Sequence, residues 1–150
     1  MNRSGKPLSP DLHARLRRLV EKLAADARLD AIWLFGSQAR GDADLLSDVD
    51  IALLAHGRPG AAEFDRLRNE WLELAATELG SDELSLLFLN LAPVALRYGA
   101  LKDSRLLWAR APELAADFEA RTLKEYFDFK PYLDEYDRAL FAQAATGRLR

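Results

Sequence analysis

Two aspartates one residue apart, Asp48 and Asp50, stand directly ahead of the apolar run "IALLA", and ten residues separate them from a Gly-Ser pair, Gly36-Ser37. In a strand, side chains two apart project to one face with α-carbons roughly 6 to 7 Å apart, so both carboxylates can aim at one point. Two such anions beside an apolar sheet repel each other unless a cation lies between them. Magnesium suits that place, because it takes hard oxygen ligands and commonly uses one or two carboxylates, with waters and substrate phosphates completing its shell. The pair therefore points to a phosphate-bearing substrate. Gly36 and Ser37 fall where a strand should end and a helical turn begin, which leaves backbone N–H groups able to hold a phosphate oxygen. Glycine permits close approach to the backbone, serine adds a hydroxyl, and Arg40 is placed to add positive charge. Either motif alone is ordinary turn chemistry. In this order, and in these strand contexts, they read as one site.

The flanking elements must hold that site. Ser9-Pro10 is a helix-start signal, and Leu12, Leu16, Leu19, Val20 and Leu23 then recur at helical spacing, predicting a first helix to about Arg28. "AIWLFGS" reads as a buried strand turning sharply at Gly36, and residues 37–47 as a short helical turn plus a polar loop. "DVDIALLA" is a second strand, too continuously apolar to be a water-facing edge, closed by "HGRPG". Residues 60–79 return to helical spacing through Phe64, Leu67, Trp71, Leu74 and Ala75, with Gly80 as the C-cap. A third strand in "ELSLLFLN", a helix from about Pro93 to Lys102 and a short fourth strand in "RLLWA" follow. This order predicts an α/β (α+β) fold, a small mixed sheet flanked by helices. From Pro112 onward the pattern is helical and aromatic, with a kink or break expected at Pro131.

At 150 residues the chain is expected to form a single domain, about 1–110 as a catalytic core and about 111–150 as a helical extension. An apolar fraction of 49% with 30% charged residues is that of a globular protein. The absence of cysteine excludes thiolate metal sites, cysteine nucleophiles and disulfides. A net charge of −3 argues against a broad basic face for duplex nucleic acid, and favours a small anionic ligand or a protein partner. His13 and His56 are too widely separated to suggest a metal set. No window approaches a membrane span and "MNRSGKPLSP" has no apolar leader core, so a cytoplasmic protein is expected.

Gly36-Ser37, ten residues and Asp48-Val49-Asp50 together resemble the GSx10DxD signature of the DNA polymerase β-like nucleotidyltransferase superfamily, and "FGSQARGDADLLSDVDIALL" most resembles its minimal, MNT-type branch. Chain length, "LLFLNLAPVALRYGALKDSRLLWAR" and "EYFDFKPYLDEY" extend the resemblance to MntA-type antitoxins of HEPN/MNT toxin–antitoxin modules. The resemblance implies that Gly36 and Ser37 hold nucleotide phosphates, that Asp48 and Asp50 ligate Mg2+, and that Ser47 lies beside the nucleotide. It implies attack of an acceptor hydroxyl on the α-phosphate of ATP with loss of pyrophosphate. The implied acceptor is a tyrosine of a cognate HEPN ribonuclease toxin, HepT, silenced by AMP addition. The superfamily usually carries a third carboxylate on the next core strand, where this chain has Ser85. Glu83, two residues earlier on the same strand face, is the candidate substitute. Two alternatives stand beside this reading: nucleotidyl transfer to a small hydroxylated molecule such as an aminoglycoside, and a non-catalytic antitoxin that occludes its toxin.

Tyr126, Phe127, Phe129, Tyr132, Tyr136 and Phe141 crowd sixteen residues, and suit either packing on the chain's own domain or a protein interface. Arg15, Arg17, Arg18 and Lys22 on the first helix, with Arg66 and Arg68 on the next long one, are interspersed with acids and read as solvated faces.

Overall fold

The computed structural model describes residues 10–41, 48–80 and 84–145. Helix α1 (Pro10–Ala24) opens at the predicted proline, while Ser9 lies outside the described residues. Leu16, Leu19 and Leu23 form its buried stripe. The helix stops short of the predicted Arg28 because Asp26 builds a turn of its own. Its N–H reaches the Leu23 carbonyl at 3.0 Å, and its carboxylate accepts the Arg28 backbone N–H at 2.9 Å and the Arg28 guanidinium at 2.9 and 2.7 Å. An aspartate that bonds the backbone locally competes with helix in this way. Trp71 Nε1 also donates to Asp26, at 3.0 Å.

Those bonds, the Arg28 side chain foremost, hold the Asp26 carboxyl well below the usual carboxylate range despite its partial burial. The unfolded chain therefore binds the proton more readily, so the stabilisation is complete above the unfolded pKa of about 4 and fades as pH falls below it. Urea midpoints measured from pH 6 to pH 2 should fall on the acid side, and Asp26→Asn should flatten that slope. An unchanged slope would remove Asp26 from the account.

Strand β1 (Leu29–Phe35), helix α2 (Gly36–Arg40), strand β2 (Val49–Ala55), helix α3 (Ala61–Leu79), strand β3 (Leu84–Phe88), helix α4 (Val94–Leu101), strand β4 (Arg105–Ala109) and helix α5 (Pro112–Ala145) complete the order. The sheet runs β3-β2-β1-β4, with β1 antiparallel to both β2 and β4, and β2 parallel to β3. The β2-β3 pair needs a crossover, which α3 supplies. Gly80 caps α3 as predicted, with φ 65° and its N–H on the Ala76 carbonyl at 2.9 Å.

Alternation along the two inner strands separates two cores. Ile32, Leu34, Ile51 and Leu53 face Leu16, Leu19 and Leu23 of α1 and Phe64, Leu67 and Trp71 of α3. Ala31, Trp33, Ala52 and Leu54 face Leu101 of α4 and Ala115 and Phe118 of α5. Trp33 also donates its indole N–H to Glu119 at 2.8 Å, which pins α5 to the sheet. The helices thus form a layer on each side of a mixed sheet.

Of the kink or break expected at Pro131, the break does not occur: helix α5 continues through the proline. The chain around it is largely exposed, so water can take the carbonyl that the proline leaves unbonded. The basic residues of α1 pair with acids as a solvated face would: Arg15 with Asp11 at 3.0 Å, Arg17 with Glu21 at 3.8 Å, and Arg18 and Lys22 with Glu78 of α3. His13 is exposed, and His56 Nδ1 lies 3.1 Å from Asp30. No helix among the described residues is long and apolar enough to cross a membrane.

Candidate active site

Strand β1 delivers Phe35 in extended geometry, and the chain then turns at Gly36, whose φ of 71° lies in the left-handed region that favours glycine. Across the antiparallel ladder Phe35 pairs with Asp50, and across the parallel ladder Asp50 pairs with Ser85. Gly36, Asp50 and Ser85 therefore stand in a row at one end of three adjacent strands. Ser85 Oγ donates to Asp50 Oδ1 at 2.6 Å. The other carboxylate oxygen, Oδ2, occupies the space beside Gly36: a Cβ there would overlap it and lie 3.2 Å from Asp50 Cγ. Asp50 is thus held from both sides, by a hydroxyl and by a backbone that carries no side chain.

Asp50 shares its sheet face with Ala52 and Leu54, and is half-buried. Asp48 directly precedes β2 and is exposed. Ser37 is half-buried in the first turn of α2, and Arg40 closes that helix with an exposed side chain. Gly41 ends it with φ 79°, its N–H on the Ser37 carbonyl at 3.0 Å. Ser47 and Glu83 lie outside the described residues.

Two contributions escape a reading of the sequence. Ser85 stands where a third carboxylate was expected, and the hydrogen bond it gives to Asp50 is visible only once β2 and β3 are in register. Arg105 opens β4 opposite Leu34 and donates Nε to the Ala39 carbonyl at 2.9 Å, anchoring α2 from the far side of β1. An arginine at the start of a short strand carries no signal in sequence that separates it from other surface arginines.

Among the described residues no group of three or more His, Cys, Asp and Glu is placed to hold a metal ion. The donors here are two carboxylates, one already oriented by a hydroxyl, on a backbone stripped of bulk at Gly36. That set fits a hard cation which keeps most of its shell for water and phosphate oxygens.

The sequence profile of the family described as "Polymerase beta, Nucleotidyltransferase" matches residues 17–113, which span α1 to the start of α5. Among curated proteins none matches by sequence. Solved structures do match. One described as a toxin–antitoxin with AMP-PNP superposes with a TM-score of 0.65 at 23% identity, over 91% of this chain and 99% of that one. Another, a tri-AMPylated HEPN toxin in complex with MNT antitoxin from Shewanella oneidensis, gives 0.59 at 22% identity, over 88% and 94%. A third, described as the toxin–antitoxin MntA-HepT, gives 0.58 at 23% identity, over 88% and 95%. At these identities the structures establish a shared fold, and the profile match over more than half the sequence establishes the kinship: this chain belongs to the polymerase β nucleotidyltransferase family.

Proposed function

We propose that the chain is an antitoxin that transfers AMP from ATP to a tyrosine hydroxyl of a HEPN-type ribonuclease toxin, and so silences it. The observation that carries this reading is the row of Gly36, Asp50 and Ser85, with Asp48 beside it, inside the region the family profile matches. Support for the partner comes from the fold's likeness to toxin–antitoxin structures, one with AMP-PNP and one with an AMPylated toxin.

In the transfer, the acceptor hydroxyl loses its proton to solvent and its oxygen forms a new bond to the α-phosphorus, while the bond from that phosphorus to the bridging oxygen breaks and pyrophosphate leaves. Positioning and electrostatics supply most of the catalysis in such reactions. Gly36 and Ser37 offer backbone N–H groups, and Ser37 a hydroxyl, to the phosphate oxygens; Arg40 adds positive charge at the same end of the sheet. Ser47 is assigned a place beside the nucleotide. Asp48 and Asp50 would hold Mg2+, which when bound neutralises charge on the phosphate oxygens.

Ser85 takes the role of orienting Asp50. Losing an outer partner of a ligating carboxylate costs roughly 10 to 100-fold in metal affinity or activity. Ser85→Ala should therefore raise the magnesium concentration for half-maximal AMP transfer by about 10-fold or more, measured as initial rate against magnesium. An unaltered midpoint would show that the hydrogen bond has no part in metal binding. A direct test of the function is mass spectrometry of a HEPN-type ribonuclease encoded by the gene adjacent to this chain's own, after incubation with the chain, ATP and magnesium. The expected result is one or more added AMP groups on a tyrosine, and an unmodified partner held in a tight complex would favour occlusion instead.

A further inference from the structure

Helix α5 leaves its own domain partway along. Its buried residues are Ala115, Phe118 and Thr122, and Tyr126 then stacks on Tyr98 of α4 with ring centroids 3.8 Å apart. From Phe127 to Ala145 no residue is buried. This arm of nineteen residues is about 28 Å long at 1.5 Å per residue. It is far from polar: Tyr132, Tyr136 and Phe141 are 69%, 62% and 77% exposed, and Phe127 and Phe129 are exposed too. Exposed apolar surface on this scale marks an interaction site.

The arrangement of its residues specifies the occupant. Phe129, Leu133, Tyr136 and Leu140 follow at spacings of four, three and four, the alternation of a coiled-coil seam. Pro131 falls on the opposite side of the helix, where its missing N–H does not disturb the seam. Set the arm antiparallel to itself, centred between Asp134 and Glu135, and every seam residue meets a seam residue: Leu133 faces Tyr136 of the other copy, and Phe129 faces Leu140. The flanks match as well. Lys130, which pairs with Asp134 of its own helix at 2.8 Å, comes beside Asp137 of the other copy, and the bulky Tyr132 comes against the small Ala139.

We propose that this arm is a homodimerisation element, pairing antiparallel with the same arm of a second copy through Phe129, Leu133, Tyr136 and Leu140. The two nucleotidyltransferase domains then lie at opposite ends of the paired arms. The proposal does not depend on the AMP-transfer reading, since the arm and the carboxylate site share no residue.

Sedimentation velocity of the full chain over a wide concentration range tests it. The mass should rise from that of one chain to that of two, and Leu133→Glu with Leu140→Glu should hold it at one while the thermal midpoint stays near the parent's. Lys130→Glu should weaken the dimer several-fold, and adding Asp137→Lys should restore it. A parent chain that stays monomeric throughout overturns the proposal, as does a dimer indifferent to these substitutions. So does a monomeric parent whose arm instead captures the adjacent gene's product and loses it on Leu133→Glu, which assigns the arm to a different protein.

Discussion

Asp50→Asn is expected to lower AMP transfer by about 10³-fold or more, equivalent to about 4 kcal/mol of lost transition-state stabilisation. The substitution keeps the shape of the side chain and an oxygen able to accept the Ser85 hydroxyl, so the row of Gly36, Asp50 and Ser85 remains intact. What it removes is charge. A single carboxylate at Asp48 is then left to hold the cation, and the phosphate oxygens lose the field that makes pyrophosphate departure feasible. Because two like charges at the end of an apolar sheet are a cost to folding, the thermal midpoint should stay level or rise slightly. Transfer of label from α-labelled ATP, read with the thermal midpoint of the same preparation, separates the two effects. Full activity in Asp50→Asn would end its assignment as a ligand.

Gly36→Ala is expected to damage both fold and activity. The backbone there has φ 71°, and a non-glycine residue held in that region costs of order 1–3 kcal/mol. Strain is the smaller difficulty. The new methyl group would overlap Asp50 Oδ2, so either the carboxylate swings off its Ser85 partner or the β1-to-α2 turn moves. Either displaces the groups assigned to the phosphate and the cation, and a shift of about 1 Å in a catalytic arrangement can cost 100-fold. The expected outcome is a lower unfolding free energy and at least about a 100-fold loss of transfer, checked by urea denaturation and initial rates. Ala at this position with parental kinetics would mean that Asp50 does not need its observed orientation.

Much of this was legible before the fold was known, for identifiable reasons. Gly36 and Gly80 announced turns because left-handed backbone strongly prefers glycine, and the structure places both at positive φ. "DVDIALLA" was readable as an inner strand because its apolar half offers no polar face, and β2 does sit between β1 and β3. The end of α1 was misjudged because Asp26 exerts its effect through side-chain bonds to Arg28, which periodicity does not register. Of the kink or break that Pro131 implies, α5 shows no break, because the helix is largely exposed there and water can take the carbonyl left unbonded. At the site, spacing alone pairs Gly36 and Ser37 with Asp48 and Asp50 as candidates, and the fold brings Asp50 against Gly36. The hydrogen bond from Ser85 depends on parallel register across a crossover of some thirty residues, and no local pattern encodes that. The aromatic tail divides: Tyr126 and Phe127 meet Tyr98, and Phe129, Tyr132, Tyr136 and Phe141 are exposed.

The most direct test of the central claim is the mass of the adjacent gene's product after incubation with the chain, ATP and magnesium, compared among the parent, Asp48→Asn and Asp50→Asn. AMP-sized additions on a tyrosine are expected with the parent and none with either variant. A partner that binds the parent tightly, loses its ribonuclease activity and gains no mass would contradict that claim.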